Sequence, residues 1–287
     1  ANDDPEAALS DIRMCLFLAE SIRDEPLLIS QLVRIASLKI ALQLVWEGLK
    51  EEKWNAEQLA GIEKQLADID LLEGYRISIL GERDFANLEI DRMRDDPKLL
   101  GMLLEDDNPI LKVMPDGWIS HNQRRLNEMH VNFSQRIVDI KARRIHPEIA
   151  VAFNKELDAR TKRKLPIYDM LSGILLPAID KVAIKIGFAQ AAVDHARIAC
   201  HLELHKLKHK KYPAKLAGLE APLPHDPYTG KPYVYKPDPK GRYQLYGVGR
   251  NQKDDDGKVV LRGSGGLNLD EGDLVWSYLP ATRPKGE

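Results

Sequence analysis

No stretch of this sequence carries the roughly 18 uninterrupted apolar residues that a membrane span needs. The longest apolar runs, such as Met170 to Ile179, are cut by Ser172 and Pro177. Net charge is nearly absent as well. Lys and Arg number 42 against 44 Asp and Glu, leaving −2, which excludes a nucleic-acid binder that relies on bulk charge. Cysteine is scarce, with only Cys15 and Cys200. Both fall on apolar helical faces and read as buried free thiols, or as one disulfide joining the first and last long helices in an oxidising compartment. No internal repeat is visible.

Catalytic signatures are lacking too. Gly263-Ser264-Gly265 has the wrong spacing for a nucleophile elbow. No Gly-x-x-x-x-Gly-Lys occurs, and Gly247-Val248-Gly249 lacks the third glycine and following helix of a dinucleotide loop. His201, His205 and His209 stand at i, i+4 and i+8, a spacing that lets pairs share zinc. No Glu completes His-Glu-x-x-His, however, and the three lie with Arg197 and Lys208 away from the apolar seam, where a solvated face is the plainer reading.

What is present is ample core material: 287 residues, 44% hydrophobic and 30% charged, enough for one large or two modest domains. The front two thirds reads as helices. Asp3-Asp4-Pro5 is a cap with proline at a first helical position, and Ala8, Ile12, Cys15, Ala19 and Ile22 recur along one face. The chain restarts at Pro26, with a helix over Leu28–Leu49. Asn55 and Gln58 form a capping box that opens a helix through Asp70. Helices are expected over Leu71–Met93, His121–Arg144, Glu148–Arg160 and Lys164–Pro177, with residues 95–118 as the main loop. A long helix follows, its seam running Ile179, Val182, Ile186, Ala189, Val193, Ala196, Cys200, Leu204 and Leu207. Small residues (Ala189, Ala192, Ala196, Ala199) dominate its middle, so something can pack closely there. It stops at Lys210-Lys211-Tyr212-Pro213.

After Pro213 the pattern changes. Prolines at 222, 224, 227 and 232 with Gly230 rule out helix. Tyr233–Tyr235 and Tyr243–Tyr246 alternate around a turn at Asp238–Gly241 and predict a β-hairpin. Leu274–Tyr278 predicts a third strand, and a Gly- and Asp-rich loop fills Gly249–Gly272. The expected fold is therefore α+β: an all-helical body over 1–177, then a long helix and a small antiparallel sheet over 178–287.

Tyr212-Pro213, Leu223-Pro224, Asp226-Pro227, Gly230, Pro232-Tyr233, Tyr235, Tyr243, Leu245-Tyr246, Val248-Gly249 and Asp273 follow one another in an order that resembles the major pseudopilin of type II secretion. The whole chain is also similar to a group of envelope proteins of planctomycete and verrucomicrobial type, through Arg23–Ser30, Gly81-Glu82-Arg83, Leu223–Asp226 and Trp276. The chain departs from a pseudopilin in the helices ahead of its long helix and in Asp180, Lys181 and Lys185 at that helix's start. Assembly into a filament by the usual route is therefore not expected. The resemblance implies a periplasmic or cell-envelope location and a calcium ion held between the loop and the last strand. It also points to a non-catalytic structural or interaction role with a protein partner or a second copy, or alternatively to a pilin-like filament or secretion component. No nucleic acid is expected. The helix-start signal so near Ala1 suggests a mature form, with membrane attachment only through a removed leader.

Asp254, Asp255, Asp256, Asp270 and Asp273, with Asn251, supply hard oxygen ligands from two chain segments, as calcium requires. The spacing is not that of an EF-hand, and a solvated acidic turn is the alternative. Arg23, Asp24, Glu25, Glu82 and Arg83 fall beside apolar helix faces. They read as buried, paired charges that hold helix register. The alternative is that Glu25 and Glu82 do acid–base work in a helical cleft, in an enzyme of unknown class.

Overall fold

The computed structural model describes residues 4–96, 98–104, 115–162, 170–176, 179–238, 241–263 and 266–276. The helical body begins as expected. Asp4 accepts from the backbone N–H of Glu6 and Ala7 and opens α1 (Pro5–Ser21). The chain then bends at Pro26 into α2 (Leu28–Lys50). The capping box of Asn55 and Gln58 is formed in both directions, at 2.9 and 3.0 Å, and starts α3 (Ala56–Ala67). Asp70 caps α4 (Leu71–Asp95).

From here the structure departs from the sequence reading. The expected loop at 95–118 holds a short helix, α5 (Lys98–Leu104), and the start of α6 (Asp116–Asn132); Pro109 and the rest of 105–114 lie outside the described residues. The helix expected to run to Arg144 stops at Asn132. A 3-10 turn and a small hairpin follow, β1 (Val138–Asp139) paired with β2 (Arg144–Ile145). The run of β-branched Ile137, Val138 and Ile140 favours extended chain. The backbone N–H of Ile145 bonds the Pro227 carbonyl at 2.7 Å, a distant partner that no local pattern announces. After α7 (Pro147–Thr161) and α8 (Met170–Leu175), the long α9 (Ile179–His209) matches its predicted span. The remainder of the helix expected over Lys164–Pro177 lies outside the described residues.

Beyond Pro213, β3 (Val234–Asp238), β4 (Arg242–Gly247) and β7 (Leu274–Trp276) form an antiparallel sheet in the order β3-β4-β7. Tyr235 faces Leu245, and Leu245 faces Trp276. Pro237 sits in β3 at the sheet edge, where its missing donor is not needed. The predicted loop between β4 and β7 contains a second hairpin, β5 (Val259–Leu261) with β6 (Leu267–Gly272). Residues 277 and 278 of the expected last strand, and 239–240 of the hairpin turn, lie outside the described residues.

The architecture is α+β with a large helical body, and α9 is its axis. It packs on α2, α3, α4 and α7 and also on β4, β6 and β7, so one hydrophobic core runs from Leu9 to Trp276. Gly187 makes this possible, because a Cβ there would collide with Ile145 and with the Tyr228 ring that is laid across the helix. The Tyr228 hydroxyl donates to the Ile184 carbonyl at 3.1 Å. Helix α2 is long and apolar enough to cross a membrane by length and composition. Its buried side nonetheless packs on α1, α4 and α9, which is the behaviour of a core helix.

The charges expected to be buried in register-setting pairs are not. Arg23 and Glu25 are exposed, Arg23 pairing with its neighbour Asp24, and Glu82 and Arg83 are half-buried. The buried charge is Arg34, whose side chain reaches Glu20 at 2.6 Å, the Asp70 carbonyl at 3.2 Å and Gln31 at 3.4 Å. It ties α1, α2 and the cap of α4 together. Removing one partner strands a buried cation. Glu20→Ala is therefore expected to cost about 3 kcal/mol in urea unfolding, and adding Arg34→Met to recover most of that loss.

Candidate functional site

The loop between β4 and β7 is built by backbone that turns back on itself. Gly249, Gln252, Asp256, Gly257 and Gly272 all adopt positive φ. Asp273, only 5% exposed, sits between β6 and β7. Its Oδ2 accepts the backbone N–H of Gly257 at 2.7 Å and of Asp255 at 3.1 Å. Its Oδ1 is buried without a hydrogen-bond partner among the described residues. Burial raises the Asp273 pKa and the charges of Asp254 and Asp255 raise it further, against the two N–H donors.

The structure divides the predicted acidic set. Asp254, Asp255 and Asp273 come close enough to feel one another's charge. Asp254 Oδ1 accepts from the Tyr246 hydroxyl at 3.0 Å, and Asp255 Oδ2 accepts from Asn251 Nδ2 at 2.8 Å. Asp256 instead pairs with Lys236, and Asp270 with Arg250 and more loosely with Arg262. As placed, no group of three His, Cys, Asp or Glu among the described residues could hold a metal ion. The donor set still suits a hard cation: carboxylates and an amide oxygen, one carboxylate oxygen of which is buried and unpartnered.

Glu25 and Glu82 each bond a residue in the first turn of α2. Glu82 Oε1 accepts the backbone N–H of Leu28 at 2.8 Å, and Glu25 accepts from the Ser30 hydroxyl. The Glu82 bond satisfies a free N–H at the positive end of a helix, whereas the Glu25 bond joins two side chains. Gly81 makes the approach possible, since a Cβ there would strike the Pro26 carbonyl. His201 is half-buried and 3.3 Å from Glu63, which also binds Arg197, so that histidine belongs to a contact between α3 and α9; His205 and His209 stack on each other at 4.3 Å. Cys15 and Cys200 are both free thiols.

A second place was not legible in the sequence. Between α2, α9 and the sheet runs an apolar groove of about 530 Å³. Leu32, Ile35 and Leu42 form one wall, and Leu274 and Trp276 the other, with Ala189 and Ala192 of α9 as part of its floor. The small residues noted on α9 therefore leave room as well as permit close packing. Comparisons with known proteins add no guide: no family model, curated protein or solved structure matches the chain.

The groove borders a buried polar network. Tyr233 donates to Asp194 Oδ2 at 2.9 Å, Gln190 to Asp194 Oδ1 at 3.0 Å, and the Leu71 N–H to Gln190 at 2.8 Å. Beside it the His195 ring lies edge-on to Tyr233 at 4.6 Å. Burial holds the His195 imidazole down to about 3 and the His130 imidazole down to about 4, Arg83 adding to the latter. Burial also pushes the Asp194 carboxyl up to about 6, against its hydrogen bonds from Gln190 and Tyr233.

These shifts oppose one another. Between about pH 4 and 6 the unfolded chain protonates both histidines while the native chain does not, and native Asp194 keeps a proton that the unfolded chain releases. For these three groups the balance is one extra proton on the unfolded state, so together they contribute a rise of stability with pH of about 1.4 kcal/mol per unit in that window. Urea unfolding across the window should show this slope. In His195→Phe the remaining histidine and Asp194 cancel, and the slope should fall by about 1.4 kcal/mol per unit relative to the wild type.

Proposed function

We propose that the chain is a non-catalytic protein of the bacterial cell envelope whose helical body docks a partner protein or a second copy. In this reading a calcium ion orders the loop of its pseudopilin-like sheet. The observation that carries the docking role is apolar surface on the first two helices. Met14, Phe17 and Leu18 of α1 stand in solvent, as does a stripe of Ile29, Val33, Ala36 and Ile40 on α2; Phe17 is 67% and Ile29 63% exposed. Large apolar side chains grouped on a surface mark interaction sites. The periplasmic location and the kinship with type II secretion rest on the order of residues from Tyr212 to Asp273. Calcium is supported by the unpartnered Asp273 Oδ1, beside Asp254 and Asp255.

The two alternatives have less behind them. A pilin-like filament packs through an exposed apolar helix, whereas α9 is buried among the helices of its own chain. An acid–base enzyme needs carboxylates in a cleft, whereas Glu25 is exposed and Glu82 is engaged by Leu28.

The docking face is tested by Phe17→Glu with Ile40→Glu, both exposed and therefore tolerant of charge. Sedimentation of the wild type with rising concentration, or chemical cross-linking in a periplasmic extract, should show an associated species that the double variant lacks. Association unchanged in the variant removes α1 and α2 as the docking face.

The metal is tested by melting in calcium and in chelator. An ion at a hundredfold excess over its Kd stabilises by about 2.7 kcal/mol. The Tm should rise accordingly in the wild type and stay put in Asp273→Asn. A Tm indifferent to both calcium and chelator takes calcium out of the proposal.

A further inference from the structure

The groove between α2, α9 and the sheet carries one feature that plain apolar packing does not explain, which is the sign of the charges that line it. The charged residues lining the groove are Lys39, Lys185 and Arg262, and none is acidic. Lys39 and Lys185 are exposed and have no ion-pair partner among the described residues, while Arg262 is only loosely held by Asp270 at 3.6 Å. An apolar groove lined by cations selects an occupant with an aliphatic body and an anionic head.

We propose that this groove binds a single-chain amphiphile with a carboxylate head, a free fatty acid of medium to long chain. Lys39, Lys185 and Arg262 hold the head. The acyl chain lies along Leu32, Ile35, Ala189 and Ala192. It has further room in an adjoining depression of about 290 Å³ that shares Lys39, Leu42, Ala192 and Trp276 and extends to Trp46. The volume of the main groove falls within the range usual for small-molecule sites.

The test uses the purified chain with dodecanoate and hexadecanoate, followed by calorimetry and by tryptophan fluorescence. Dodecan-1-ol and dodecyltrimethylammonium carry the same chain with other heads, and phosphatidylglycerol vesicles present an anionic lipid surface. The carboxylates should bind at least tenfold more tightly than the cationic amphiphile. Lys39→Glu with Lys185→Glu should weaken the carboxylates at least tenfold while leaving the alcohol unaffected, since both lysines are exposed and their exchange spares the core. Ala192→Trp, which fills the trough, should abolish binding of carboxylate and alcohol alike; if that variant melts early, the lysine pair still decides. Equal binding of all three heads, carboxylate binding unchanged by the lysine exchange, or capture by vesicles with no binding of free carboxylate would each overturn the proposal.

Discussion

Helix α9 is mostly buried from Ile179 to Glu203, yet it carries Gln190, Asp194, His195 and Glu203 within that stretch. A buried polar group must find a partner or lose the whole benefit of its burial. Asp194 meets that demand by drawing on two regions at once. Gln190 links it to the first N–H of α4, and Tyr233 brings the chain leading into β3 onto the same carboxylate. Burial raises the Asp194 pKa, and the two donors oppose that shift. The sheet is seated on the body by this one acid as much as by apolar contact. The long helix therefore cannot be assigned to one part of the chain alone.

Both candidate sites follow from that seating. The sheet lies across α9 where alanines leave little side chain to fill the space, so the junction with α2 stays partly open as a groove. Cavities of this kind persist because packed interiors relax only partly around a deficit of volume. On the far side of the sheet, the left-handed turns between β4 and β7 fold the carboxylates of Asp254 and Asp255 back toward Asp273. Like charges are held together there by backbone N–H donors that satisfy one oxygen of Asp273 and leave the other bare.

The ordering of α1, α2 and α4 obeys a different logic. The buried Arg34 and the caps supplied by Glu82 and Asp70 join helices whose apolar stripes would tolerate several registers. Directional hydrogen bonds choose among them, in the way that buried charge is known to set register where apolar packing is permissive. The same arrangement leaves the outer sides of α1 and α2 apolar and uncovered.

What could be settled from the amino acids alone was local. Asp4-Pro5 and the Asn55–Gln58 box marked helix starts, because a cap and its donors lie within a few residues. The spacing of apolar residues gave α9 its bounds, and tyrosine alternation gave β3 and β4 their pairing. The small hairpins at 138–145 and 259–272 escaped notice because each is only two to six residues per strand, too short for periodicity to register. In the acidic loop the residue types were plain to see, but Lys236 and Arg250 claim Asp256 and Asp270 from outside it. Glu82 reaches the start of α2 only because α4 passes the Pro26 bend. The groove and the lysines that line it were decided by tertiary structure alone, since cavities arise between segments far apart in the chain.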